Sequence, residues 1–213
     1  MDAVVAGAAH LPPRALVGFS DLTALLNALH DHLGWITFHG PVVTTLGRTE
    51  VEVDLDGVLA TLRGELRAID FPRGPGSTVV GKLRGGNLSL LAAQCGTPTA
   101  HGPGTDDIWL IEDVSATHYQ LDRCFSQLRR SGALASARAL WIGDLDLPPD
   151  FTEIVCQGFA DDSGLPLIGG APAGHRGRIE VLPIGGQVEL MPQEGRLRAL
   201  GDWLRPVGSA VNA

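Results

Sequence analysis

The sequence predicts an α/β fold: a partial, Rossmann-like parallel sheet layer early in the chain, joined to a C-terminal α/β domain with a β-rich end. Three observations predict it. Apolar runs of strand length alternate with stretches of helical periodicity, glycine and proline punctuate them, and the last part of the chain breaks into short strands.

Residues 15–19 form a short apolar run that ends at Ser20-Asp21, after which Leu22, Leu25, Leu26, Leu29 and Leu33 recur at helical spacing. This reads as strand, sharp turn and helix. Gly34 stops the helix, and Trp35-Ile36-Thr37-Phe38 is a second strand closed by Gly40-Pro41. Further on, Val58, Leu59, Leu62, Leu66 and Ile69 fit one amphipathic helix, and Phe71-Pro72-Arg73-Gly74-Pro75-Gly76 fits a linker, placed between residues 42 and 81. Asn87 is positioned to cap a helix through Leu88, Leu90 and Leu91. Ile108-Trp109-Leu110-Ile111 is a buried-strand candidate delivering Glu112 at its end. Leu121, Cys124, Phe125 and Leu128 mark the next helix, residues 139–143 a strand, and residues 165–191 a run of short strands. No repeat or low-complexity tract interrupts this order.

Composition narrows the function classes. Apolar residues are 44% and charged residues 19% of the 213, which is an ordered, packed chain with enough length for a substantial core. The 24 acids outnumber the 16 bases and the bases are scattered, so nucleic acid is excluded as an expected partner. No apolar run reaches the roughly 18–20 residues of a bilayer span, and Asp2 is not the start of an export signal. A soluble, cytoplasmic protein without membrane contact is expected. Cys95, Cys124 and Cys156 are widely spaced in apolar context, as reduced core thiols would be, and form no CxxC pair, so no metal site is expected.

Gly18-Phe19-Ser20-Asp21 is the strongest local feature. A serine on a tight strand-to-helix turn exposes its hydroxyl beside backbone N–H groups, which suits a nucleophile with half an oxyanion hole. The same serine could simply cap the helix. Position 22, where a hydrolase elbow has glycine, is leucine. Glu112 ends an apolar run, where a carboxylate must reach solvent or find partners, and His175 lies in the small-residue loop Ala173-Gly174-His175-Arg176-Gly177. A solvated strand end and an incidental loop histidine are the plainer readings of these two. Together they follow the order Ser, acid, His, each beside a strand end. His30 and His32 fall on the polar side of the leucine-rich helix, His101 in a Gly/Pro loop and His118 at a helix start; His39, after a predicted strand, is the competing base.

Longer blocks carry a family resemblance. Leu16-Val17-Gly18-Phe19-Ser20-Asp21-Leu22, Thr37-Phe38-His39-Gly40-Pro41, Gly85-Gly86-Asn87-Leu88-Ser89-Leu90-Leu91, Ile111-Glu112-Asp113-Val114 and Pro172-Ala173-Gly174-His175 occur in order between about residues 15 and 190. In this the chain resembles the L,D-carboxypeptidase family (serine peptidase family S66), which also contains the microcin C immunity peptidases. The resemblance implies Ser20 as nucleophile, His175 as general base and Glu112 as the acid that orients it, with the Asp21 backbone N–H in the oxyanion hole and no metal or organic cofactor. It also implies hydrogen-bond reach from Ser20 to His175 and from His175 to Glu112.

It implies, too, that residues 1–75 are the remnant of a nucleophile domain with its linker, and that residues 76–213 form the domain carrying acid and base. The implied reaction is release of terminal D-alanine from a muropeptide tetrapeptide in cell-wall recycling. A microcin C immunity-type peptidase is one alternative; a shortened or degenerate member that binds muropeptide or a partner without efficient hydrolysis is another. Family members carry roughly a further third of chain ahead of the nucleophile block, with a glycine-rich turn supplying a second oxyanion N–H, whose nearest counterpart here is Ala6-Gly7-Ala8. A sheet edge uncovered on that side is expected to be covered by residues 1–14, to pair in a homodimer, or to limit solubility. Arg176 stands where the family usually has glycine.

Overall fold

The structure, a computed structural model, describes residues 1–65, 67–102, 104–201 and 203–204. The chain opens with helix α1 (Asp2–Ala8), then β1 (Val17–Gly18), α2 (Leu22–Leu33) and β2 (Thr37–His39). β1 and β2 are parallel, with Gly18 opposite His39. After a 3₁₀ turn at Val43–Thr45 come β3 (Val51–Val53), α3 (Leu55–Leu62) and β4 (Ile69–Asp70). The following alternation is β5 (Val79–Asn87), α4 (Leu88–Gln94), β6 (Asp107–Glu112), α5 (His118–Arg130), β7 (Ala137–Ile142), α6 (Pro149–Ser163) and β8 (Leu167–Ile168). Four short strands end it: β9 (Gly177–Ile179), β10 (Leu182–Ile184), β11 (Gln187–Met191) and β12 (Arg196–Ala199).

A seven-stranded sheet in the order β4-β12-β11-β5-β6-β7-β8 organises the larger part of the molecule. Strands β5 to β8 are parallel, and β11, β12 and β4 extend that sheet in antiparallel fashion. Parallel strands covered on both faces need apolar residues at consecutive positions, which explains the unbroken run in β6. Ile108 and Leu110 face a core shared with Phe38, Trp141 and Leu182, whereas Trp109 and Ile111 face the core under the helices. Helices α5 and α6 meet there through Phe125 and Phe159, stacked with ring centroids 4.0 Å apart.

The second sheet, β1-β2-β10, is locked to the first. β10 runs antiparallel to β2, with Leu182 opposite His39. The buried Asn27 of α2 donates to the Gly85 carbonyl at 2.9 Å and accepts from the Gly85 N–H at 3.0 Å, while Thr23 Oγ1 accepts from Asn87 N–H at 3.0 Å. Such close approach requires glycine in β5. Gly85 and Gly86 have φ of 105° and 134°; a Cβ at Gly86 would lie 2.7 Å from Thr23 Oγ1 of α2, and one at Gly85 2.1 Å from the Leu110 carbonyl oxygen of β6.

The sequence expectations hold for α2, its Gly34 stop at φ 67°, the Asn87 cap, β6, α5 and β7. Several boundaries differ. The strand expected over residues 15–19 is only Val17–Gly18, and the one expected at residues 35–38 is displaced to Thr37–His39. The helix expected through Leu66 and Ile69 ends at Leu62; Leu66 lies outside the described residues, and Ile69 joins β4 because Leu197 on β12 offers it a strand partner. Phe71-Pro72-Arg73-Gly74 is pinned to the β11–β12 turn by Phe71 N–H to Gly195 and Gly74 N–H to Pro192. Ala6-Gly7-Ala8 is helical within α1, which packs on α2, so it makes no turn. His30 is half-buried rather than on a polar face, because its Nδ1 lies 3.0 Å from the Trp35 carbonyl. Helix α6 escaped the apolar spacing because Phe151 and Ile154 remain exposed while Val155 and Phe159 are buried, which smears the pattern around the helix.

Candidate active site

Ser20, His39 and Glu112 each follow or occupy the C-terminal end of a parallel strand, where an α/β fold collects functional groups. Ser20 has φ 57°, one of four non-glycine residues with positive φ among the described residues. That conformation costs a serine about 1–2 kcal/mol and marks a strained turn. A capping serine has an extended backbone and accepts from an N–H of the first turn. Ser20 does neither: the N-cap position belongs to Asp21, Ser20 contributes its carbonyl to Thr23 N–H, and its hydroxyl has no hydrogen bond among the described residues. The cap reading therefore fails. The Asp21 N–H is likewise without an acceptor among the described residues. Gly18 is required just before the turn, since a Cβ there would lie 2.2 Å from Leu22 Cδ1.

Glu112 is fully buried at the end of β6, in register with Asn87. Its Oε2 lies 3.1 Å from His175 Nδ1, and its Oε1 lies 3.8 Å from His39 Nε2. Burial by itself raises the carboxyl pKa; the His175 and His39 contacts outweigh it and hold Glu112 below the ordinary carboxylate range. An ionised carboxylate only accepts, so the contact requires a proton on His175 Nδ1.

The next residue, Asp113, fixes this strand end. Its Oδ2 accepts from Ser89 N–H at 2.8 Å and from Ser89 Oγ at 2.7 Å, tying the start of α4 to β6. Sequence reasoning gave Asp113 no role, although a second acid at a strand end was the available signal.

His175 sits in the loop between β8 and β9. Asp144 N–H donates to Ala173 and Ala171 N–H to Ile142, which hang the loop from the end of β7. Gly174, at φ 140°, allows the close pass, because a Cβ there would lie 2.5 Å from Asp144 Cβ. Pairing of β9 with β3 holds the other side. Arg176 is bound to Asp146, 2.5 Å distant, and to Asp144 at 3.4 Å. The Phe19 ring lies 4.9 Å from that imidazole.

The structure thus joins His175 to Glu112 directly and sets Ser20 one residue from the ring that contacts His175. No hydrogen bond links Ser20 to His175. A separate cavity of about 500 Å³, lined by Phe71, Pro72, Asp144, Arg176 and Arg178, adjoins the loop without touching Ser20 or His175. Among the described residues, no group of three or more His, Cys, Asp or Glu side chains has metal-binding geometry. No helix among them is long and apolar enough to cross a membrane.

Comparison with known proteins identifies this arrangement of elements. The sequence model of the LD-carboxypeptidase C-terminal domain matches residues 80–190, and that of the N-terminal domain matches residues 3–40. The chain belongs to the LD-carboxypeptidase family. The murein tetrapeptide carboxypeptidase of Pseudomonas aeruginosa is 32% identical over 189 residues, covering 81% of this chain and 61% of its own. The crystal structure of muramoyltetrapeptide carboxypeptidase from Oxalobacter formigenes superposes with a TM-score of 0.73 at 29% identity, over 85% of this chain and 66% of its own. The microcin C7 self-immunity protein MccF shares the fold, with a TM-score of 0.75 at 22% identity over 96% of this chain and 71% of its own. This LD-carboxypeptidase family member spans about three fifths of the curated Pseudomonas relative, 61% of its length.

Proposed function

We propose that this chain carries the catalytic groups of a serine L,D-carboxypeptidase: Ser20 as nucleophile, His175 as general base and Glu112 as the acid that orients it. The observation that supports this best is the buried Glu112–His175 contact at 3.1 Å beside a serine held at φ 57° whose hydroxyl is committed to nothing else. In this reading Ser20 Oγ attacks the carbonyl carbon of the scissile bond and its proton passes to His175 Nε2. The resulting oxyanion is met by the Asp21 N–H. As the C–N bond breaks, His175 returns the proton to the departing amine. Water then repeats the sequence on the acyl-enzyme and frees Ser20.

The substrate we propose is a muropeptide tetrapeptide that loses its terminal D-alanine, in keeping with the names of the Pseudomonas and Oxalobacter relatives. The division into a nucleophile part (residues 1–75) and an acid-base part (residues 76–213) belongs to the same proposal, with catalysis where the two parts meet. So does self-association along the outer edge of β1, which has no strand partner among the described residues; light scattering tests it.

A fluorophosphonate probe followed by peptide mass spectrometry tests the nucleophile. Ser20 should be labelled, and Ser20→Ala should abolish the adduct. Incubation with a muropeptide tetrapeptide and with an aminoacyl sulfamoyl nucleoside, scored for released D-alanine or amino acid, then separates the two substrate classes. A protein that leaves Ser20 unlabelled would be a binding member of the family.

A further inference from the structure

One fully buried titratable side chain takes no part in the mechanism above. His39 is the last residue of β2, fixed from both sides by Gly18 on β1 and Leu182 on β10. Among the described residues neither of its ring nitrogens has a hydrogen-bond partner, and neither has Glu112 Oε1, the atom that faces its Nε2 at 3.8 Å. A buried imidazole N–H and a buried carboxylate oxygen each lose much by remaining unpaired. Closing the gap to a normal hydrogen bond takes a shift of only about 0.8 Å. The surroundings leave room for the ring on this side: a Cβ at Gly86 would lie 3.4 Å from His39 Cδ2, and glycine places nothing there.

We infer that His39 is a positioning residue, whose Nε2–H holds Glu112 Oε1 and so turns Oε2 toward the His175 Nδ1–H. The inference rests on the assignment of Glu112 and His175 given above. A carboxylate bonded through one oxygen can rotate about its last side-chain torsion, which is broad and soft. Gripped at both oxygens it cannot, and the His175 ring, which must present Nε2 to Ser20, inherits that fixed orientation. Phe19 completes the frame as the spacer between the imidazoles, with centroids 4.9 Å from His175 and 6.3 Å from His39. A histidine buried merely to fill space would have no reason to choose one tautomer, whereas this role demands Nε2–H on His39 and Nδ1–H on His175.

Long-range ¹H–¹⁵N spectra of the ¹⁵N-labelled protein read both tautomers directly, and His39→Leu and His39→Gln separate shape from donor, since the Gln amide reaches the place of Nε2. Fluorophosphonate labelling of Ser20 should slow by about 10–100-fold in His39→Leu and return to within about threefold of wild type in His39→Gln. The His175 Nδ1–H signal should weaken by exchange in the first variant and persist in the second. An Nδ1–H tautomer at His39 overturns the inference, and so do equal labelling rates with an unchanged His175 signal, or equal slowing in both variants. Should His39→Leu fail to fold, the wild-type tautomers and His39→Gln still decide. If wild-type Ser20 is never labelled, the nucleophile assignment fails, while the tautomers and the His175 signal continue to judge His39.

Discussion

Replacing Glu112 by Gln removes the charge that the site is built around while keeping its shape. The amide oxygen can still accept from His175 Nδ1, and the NH₂ group can face His39 once that ring moves its proton to Nδ1. What disappears is the attraction between the carboxylate and the imidazolium that forms when His175 takes the Ser20 proton. With the two groups in contact at 3.1 Å, Glu112 fully buried and His175 partly so, charge centres about 4 Å apart at an effective dielectric of about 20 attract by roughly 4 kcal/mol. Part of that survives as a neutral hydrogen bond, so Ser20 labelling by a fluorophosphonate should fall by about 10²–10³. Thermal unfolding serves as the control for folding. A second reading comes from pH. Glu112 titrates below its ordinary range in the folded chain, so its stabilisation is complete above the unfolded value of about 4.3 and is lost as pH falls through the folded value. The Tm difference between wild type and Glu112→Gln should therefore shrink below about pH 4. A folded Glu112→Gln protein that labels within about threefold of wild type would refute the claim that this charge drives catalysis.

Three further outcomes follow from local geometry. Ser20→Gly should abolish labelling yet raise stability by about 1 kcal/mol in urea unfolding, because glycine carries no penalty at φ 57°; a less stable variant would show that the turn is unstrained. Gly85→Ala should destabilise by about 3–5 kcal/mol, since its Cβ would press on the Leu110 carbonyl inside a paired strand, and an unchanged denaturation midpoint would contradict that. Burial pushes the Cys156 thiol up to about 11, so iodoacetamide at pH 8 should leave it unmodified over a period that fully alkylates the unfolded chain.

Much of this was legible in the chain itself. Leucines at helical spacing after Ser20, an unbroken apolar run before Glu112 and glycines at the chain's turns determined α2, β6 and their boundaries, because each of those signals is local: periodicity, two-sided burial, backbone freedom. The Ser, Glu, His order and the sequence blocks were visible for the same reason. Tertiary structure decided what depends on pairing between distant segments. Ile69 is a strand rather than the end of a helix because β12 is beside it, and β2 runs to His39 because Gly18 on β1 and Leu182 on β10 flank it there. Whether Ser20 caps a helix or stands free is set by one backbone angle that composition cannot encode. That Glu112 lies between two histidines, one 73 positions before it and one 63 after, follows from the convergence of β2, β6 and the loop after β8, and a side chain's partner across such distances exists only once the chain has folded.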